Sequence, residues 1–280
     1  MRAKIWGCRG SIATPGPDTV RYGGNTSCVE VRSDAGDVLI LDAGTGLRPL
    51  GAELMRDPPP RIDLLLTHLH VDHLEGLGFF APVWSSQTEL HIWGPRSPVR
   101  PLSDRIAHYF SPPLFPVDLD EGTATIIFHD APEGDWTIGG VRVVSQPILH
   151  PGATVGYRIE EEGRALAYVT DHEPALGSDL ASTPVEWISG SALAFGADIL
   201  IHDAQYTAEE YAAKIGWGHS SVDQVVTFAQ RTKADRLLFF HHDPSHDDAQ
   251  MDVMIDHVQA IAGGDPGRYA AAIEGTVYDV

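Results

Sequence analysis

Cysteine is nearly absent from the 280 residues, with Cys8 and Cys28 the only two. Two thiols build neither a disulfide framework nor a four-cysteine zinc site. Basic residues are scarce as well: 19 Lys and Arg stand against 39 Asp and Glu, for a formal charge of −20. A surface that acidic repels polyphosphate, which argues against an extended nucleic-acid or anionic-membrane interface. It leaves room for one small anion in a local pocket. No apolar run is long enough to span a bilayer, and Met1 to Trp6 has no apolar core of signal-peptide length. A cytoplasmic, membrane-free chain is expected. Low-complexity tracts, internal repeats and linkers are missing too, while 43% of residues are hydrophobic. One domain over residues 1–280 with a sizeable core follows as the expectation.

What is there is a series of short apolar runs that end at polar residues. Val38 to Leu41 runs into Asp42, Ile62 to Leu66 into Thr67 and His68, and Ala165 to Val169 into Thr170 and Asp171. Ile199 to Ile201 runs into His202, and Leu237 to Phe240 into His241. Such runs read as buried strands. Leu90 to Trp93, Ala124 to Phe128, Val141 to Val144 and Val155 to Ile159 read as further strands. Helices are expected over 101–109, 207–214, 222–232 and 247–262, most clearly where Val222, Val225, Val226 and Ala229 repeat at helical spacing. Strands outnumber helices mid-chain, so the fold class is α/β with sheets packed together and helices outside. Segment 95–123 is rich in proline but keeps apolar residues, and reads as a lid or as a packed surface excursion. Gly44 and Gly46 suit a tight turn after Asp42 better than a phosphate loop.

The chemistry concentrates in His68, His70, Asp72 and His73, directly after a strand. Imidazole and carboxylate are the donors that borderline divalent metals prefer. A His-x-His-x-Asp-His run after a strand resembles the metallo-β-lactamase superfamily, and other pieces fit its order along most of the chain. The resemblance implies a four-layer αββα sandwich with two divalent ions along one edge, zinc first, with manganese or iron as alternatives. It implies Asp42 as the carboxylate that braces the metal loop, and His150, Asp171 and His241 as ligands beside His68, His70, Asp72 and His73. Asp171 would bridge the ions. His242 adjoins His241, and alternation along a strand leaves one of the two as the ligand.

Asp171 stands where the β-lactamases carry cysteine, and the glutamate of the flavodiiron proteins is missing. Residues 202–206 (His-Asp-Ala-Gln-Tyr) and 218–221 (Gly-His-Ser-Ser) resemble two segments of the ribonuclease Z-like phosphodiesterases. That likeness implies His219 as general acid or phosphate contact, with Ser220 beside it and His202 in support. Ribonuclease Z grips transfer RNA with a Gly- and Lys-rich arm that this chain lacks, and the cysteine cluster of the ribosyl cyclic phosphodiesterases is also missing. Residues 7–12 and 21–27 are similar to small-molecule cyclic phosphodiesterase-like members. The expectation is hydrolysis of a small phosphodiester, such as a cyclic nucleotide, by metal-bound hydroxide, with Asp72 orienting or deprotonating the water. Phe110, Phe115 or Tyr109 would either stack on a base or aryl group or simply be buried. Lactone, thioester or sulfate-ester hydrolysis and ribonuclease Z-like RNA processing are the alternatives, and a homodimer is compatible with the resemblance.

Overall fold

Leu237 to Phe240 is apolar at every position because both faces of its strand are covered. Leu237 and Phe239 face one core, Leu238 and Phe240 another. Val38 and Ile40 likewise part from Leu39 and Leu41, as two-residue alternation requires. The computed structural model describes residues 1–262 and 267–280.

β1 (Arg2–Gly7), β2 (Cys28–Arg32), β3 (Val38–Leu41), β4 (Arg61–Leu65), β5 (Glu89–Gly94) and β6 (Thr125–Asp130) lie in one sheet. β7 (Gly134–Ile138), β8 (Val141–Pro147), β9 (Val155–Glu161), β10 (Arg164–Val169), β11 (Ile199–Asp203), β12 (Arg236–Phe240) and β13 (Tyr269–Ala271) form the other, while β14 (Val277–Asp279) returns to the first. The seven-stranded sheets run β14-β1-β2-β3-β4-β5-β6 and β13-β12-β11-β10-β9-β8-β7. β3 to β6 are parallel neighbours, as are β10 to β13. Their carboxyl ends, where open α/β sheets place their sites, meet along one edge. There Tyr157 Oη donates to the Leu66 carbonyl at 2.8 Å and Val155 N to the Thr67 carbonyl at 2.9 Å, tying sheet to sheet.

A core of residues from both sheets, including Ile5, Leu39, Val143, Tyr168 and Phe240, fills the space between them. α1 (Leu47–Leu54) and α2 (Leu102–Ala107) cover the outer face of the first sheet. α3 (Ser191–Ala194), α5 (Val222–Thr232) and α6 (Asp248–Ala262) cover that of the second, and α4 (Ala208–Ala212) follows β11. The four αββα layers are those the resemblance implies. No helix among the described residues is long and apolar enough to cross a membrane.

Sequence reading missed α1, which carries Pro49 and Gly51 against helix propensity; Pro49 lies in the first turn, where a missing N–H is harmless. It also missed β1, β2, β7, β13 and β14, which are short, polar or edge strands. The Pro-rich segment contains α2 and buries Leu102, Ile106, Phe110 and Leu119 against the outer core of the first sheet. It is a packed excursion, and Tyr109 Oη donates to the Leu69 carbonyl at 3.2 Å, beside the metal loop.

Candidate metal centre

Each buried run stops at the shared edge because the chain must turn there and present a side chain. Asp42, Asp171 and His241 follow β3, β10 and β12 with φ of 60°, 52° and 59°. Left-handed backbone at a residue other than glycine costs of order 1–3 kcal/mol and persists where surrounding structure enforces it, commonly at functional sites.

Asp171 lies at the middle of the cluster. Its Oδ1 is 3.2 Å from His73 Nε2 and 3.2 Å from His241 Nε2. Its Oδ2 faces the other way, 3.5 Å from His68 Nε2 and 3.7 Å from His150 Nε2. Asp72 Oδ2 completes the first side, 3.4 Å from His73 Nε2 and 3.2 Å from His241 Nε2. His70 Nδ1 completes the second, 3.2 Å from His150 Nε2. His68, His70, His150 and Asp171 form one donor group and Asp72, His73 and His241 another, each with its donor atoms within 4.8 Å of one another; Asp171, Asp203, His219 and His241 form a third, overlapping set.

The other ring nitrogens of His68, His73, His150 and His241 are committed to protein partners. His68 Nδ1 meets Thr67 Oγ1 at 3.0 Å, His73 Nδ1 meets Asp42 Oδ2 at 2.9 Å, and His150 Nδ1 meets the Gly218 carbonyl at 2.8 Å. His241 Nδ1 meets Gln205 Oε1 at 3.1 Å. Asp42 is itself held by Tyr168 Oη at 3.0 Å and Thr67 N at 2.7 Å. Partners of this kind orient metal-binding imidazoles. His68 Nε2 is buried with no hydrogen-bond partner, an orphan that a metal ion would satisfy. The donor set fits divalent ions of the zinc type.

Burial holds the pKa values of His68, His70 and His150 below the usual imidazole range, so their lone pairs are free at neutral pH. Burial alone would raise the carboxyl pKa of Asp171; His241, His73 and His68 outweigh it and hold it well below its usual range. Asp72 is lowered in the same way by His73 and His241. For His219, burial opposes the charge, but Asp203 overrides it and lifts the imidazole to about 9. Its Nδ1 lies 2.5 Å from Asp203 Oδ2 and its ring stacks on His241, with centroids 5.0 Å apart.

The expectations for His202, Ser220 and Phe110 are corrected. His202, expected in support of His219, shares the Leu200 face of β11 and points into the helical layer. There its Nε2 meets His172 Nδ1 at 2.9 Å and its ring lies against Phe228. The next residue, Asp203, takes the site-facing side by strand alternation. Ser220 is buried and donates through Oγ to the His172 carbonyl at 2.6 Å, away from the position expected of a substrate contact. Phe110, within the Pro-rich segment, is buried against the outer core of the first sheet, so it is closed to substrate stacking. Of the adjacent pair, His241 joins the cluster, while His242 turns to the Ala272 carbonyl at 3.0 Å.

Sequence reading passed over Asp203, Gln205, Ser11 and Glu173. Ser11 N donates to Asp72 Oδ2 at 2.8 Å. The buried Glu173 carboxylate accepts from Tyr211 Oη at 2.8 Å, Gly216 N at 2.9 Å and Gly218 N at 2.8 Å, fixing the loop before His219. The acid–Ala–Gln run at the end of β11 is a usable signal for Asp203 and Gln205, whereas Glu173 and Ser11 have none without the fold.

Gly218 has φ +90°, and a Cβ there would come 2.3 Å from His150 Nδ1. Gly218→Ala should therefore displace His150 and weaken metal binding about 10- to 100-fold, the usual cost of disturbing a ligand's support. Competition with a metallochromic chelator measures it, and unchanged affinity would show that the loop yields without moving His150.

A sandwich with a His- and Asp-lined edge of this kind has the donor groups to hold divalent metal ions. Residues 38–242 match the beta-lactamase superfamily domain, and the chain belongs to that superfamily, in its ribonuclease Z-like branch. A ribonuclease Z of Mycobacterium sp. (strain KMS) is 28% identical over 258 residues, covering 82% of this chain and 81% of the relative. The metallo-beta-lactamase fold protein YhfI from Bacillus subtilis shares the fold with a TM-score of 0.70 at 16% identity, over 99% of each chain. A diphosphatase from the PhnP family does so with a TM-score of 0.68 at 19% identity, over 100% of this chain and 97% of that one.

Proposed function

We propose that the chain is a dinuclear metallophosphodiesterase that hydrolyses a small phosphodiester. The observation that carries this reading is Asp171, whose two carboxylate oxygens face two separate donor groups. In this reading His68, His70 and His150 hold one ion, Asp72, His73 and His241 hold the other, and Asp171 is shared. Bound divalent ions would lower the pKa of water and neutralise charge on phosphoryl oxygens.

The chain's own residues supply the rest. Asp72, ionised and oriented by Ser11 N, directs the attacking water through its carboxylate. His219 carries a proton at neutral pH and donates it to the oxygen that leaves. Asp203 fixes the ring through Nδ1, which leaves Nε2 for the substrate. Burial of Asp203 and Asp171 lowers the local dielectric and strengthens both contacts.

RNA processing is the second reading, favoured by the ribonuclease Z relatives. A charge of −20 weighs against a long polyanion. Turnover of bis(p-nitrophenyl) phosphate and a 3′,5′-cyclic nucleotide is compared with that of a precursor transfer RNA, a lactone and an aryl sulfate, all with one metal-loaded preparation. Higher kcat/KM for the small diesters is expected. Removal of the transfer-RNA trailer at a matching or higher kcat/KM would put the RNA reading first.

A further inference from the structure

Trp217 is a large apolar side chain that folding leaves in solvent, with 62% of its surface exposed. Among the described residues no ring stacks on it and no cation lies over it. The neighbouring groups are paired elsewhere, His219 with His150 and His241, and Lys214 over Tyr206. Its backbone, by contrast, is fixed on both sides. Gly216 N and Gly218 N donate to the buried Glu173 carboxylate at 2.9 and 2.8 Å, and the Gly218 carbonyl accepts from His150 Nδ1 at 2.8 Å. Trp217 N donates to the Lys214 carbonyl at 3.1 Å.

The indole therefore sits on a segment tied to the metal centre, two residues before His219, a span of roughly 7 Å at most. Exposed Leu149 adjoins His150, and exposed Ile215 lies against the Leu176–Gly177 turn. Leu149, Ile215 and Trp217 are thus exposed apolar residues on the two segments that carry His150 and His219. A rigid indole beside a phosphate-binding centre is a stacking platform for a planar π-system. An ester phosphate seated beside His219 must extend its substituent past that residue, and Trp217 lies in the segment leading up to it.

We propose that Trp217 is a specificity-determining residue whose indole stacks on a planar aromatic group, nucleobase or aryl, borne by the phosphate ester at the metal centre. This rests on the reading that the centre takes phosphate esters.

The test is equilibrium binding, independent of turnover. Inorganic phosphate, methyl phosphate, phenyl phosphate and adenosine 5′-monophosphate are titrated by calorimetry into metal-loaded wild type, Trp217→Ala and Trp217→Phe. Wild type should bind at least one aromatic ester more tightly than methyl phosphate. Trp217→Ala should weaken that ester about tenfold while leaving phosphate and methyl phosphate within about twofold, and Trp217→Phe should keep most of the gain. Loss for phenyl phosphate alone assigns an aryl substrate; loss for the nucleotide, with or without the phenyl ester, assigns a nucleobase.

Equal losses for all four ligands would overturn the proposal in favour of a structural role toward His150. Unchanged affinities would overturn it outright, and if the variant also dissociated a dimer, a second copy of the chain would be the indole's partner. Wild type that binds none of the four would sink the phosphate-ester reading itself, whereas wild type that binds all four equally would sink only the stacking.

Discussion

Replacing Asp171 with alanine should lower kcat on a small diester by roughly a thousandfold or more, because the several kcal/mol that paired metals contribute convert at about 1.4 kcal/mol per decade. The expectation rests on geometry. Among the described residues, Asp171 is the one carboxylate with an oxygen toward each donor group, 3.2 Å from His73 and His241 on one side and 3.5 Å from His68 on the other. Its loss leaves buried imidazoles facing one another without the anion that would offset the charge of the two ions proposed. Metal content should fall together with rate, read by mass spectrometry after gel filtration. Asp171→Asn separates charge from shape, since it keeps the volume and one acceptor but not the charge. A variant that held both metals and full activity would show that the bridge is dispensable.

His219→Ala should cost about 10²- to 10⁴-fold in kcat for diesters with poor leaving groups, such as an alkyl or nucleoside alcohol. The loss for p-nitrophenol, which departs without a proton, should be far smaller. In the proposed reading the rate depends on protonated His219, so activity should fall as pH rises through its pKa, which Asp203 lifts to about 9. Asp203→Asn removes that anion, the pKa drops, and the basic limb of kcat/KM should move to lower pH. Metal content should hold in His219→Ala, whose Nδ1 is committed to Asp203. Equal losses for good and poor leaving groups would make His219 a positioning residue.

Much of this centre was legible because its parts lie at the ends of apolar runs. His68 to His73 follow β4, and Asp171 and His241 follow β10 and β12, where alternation and burial leave a clear trace in sequence. What was not legible depends on parity and on contacts between distant segments. His202 looked like the useful member of its motif, yet in β11 it has the parity of Leu200, so Asp203 faces the site instead. Phe110 was open to either role in sequence, and only the way α2 folds onto the first sheet buries it. Glu173 and Ser11 act through backbone amides supplied by other parts of the chain, which no local pattern announces. Backbone strain at Asp42, Asp171 and His241 was invisible as well, because any residue can follow a strand and only the assembled edge forces positive φ.

Anomalous diffraction from crystals of the metal-loaded protein, recorded on both sides of the absorption edge of the ion, tests the dinuclear assignment most directly. Two peaks are expected, one among His68, His70 and His150 and one among Asp72, His73 and His241, with Asp171 between them. A single peak at full reconstitution, or peaks that leave Asp171 without a ligand role, would contradict it.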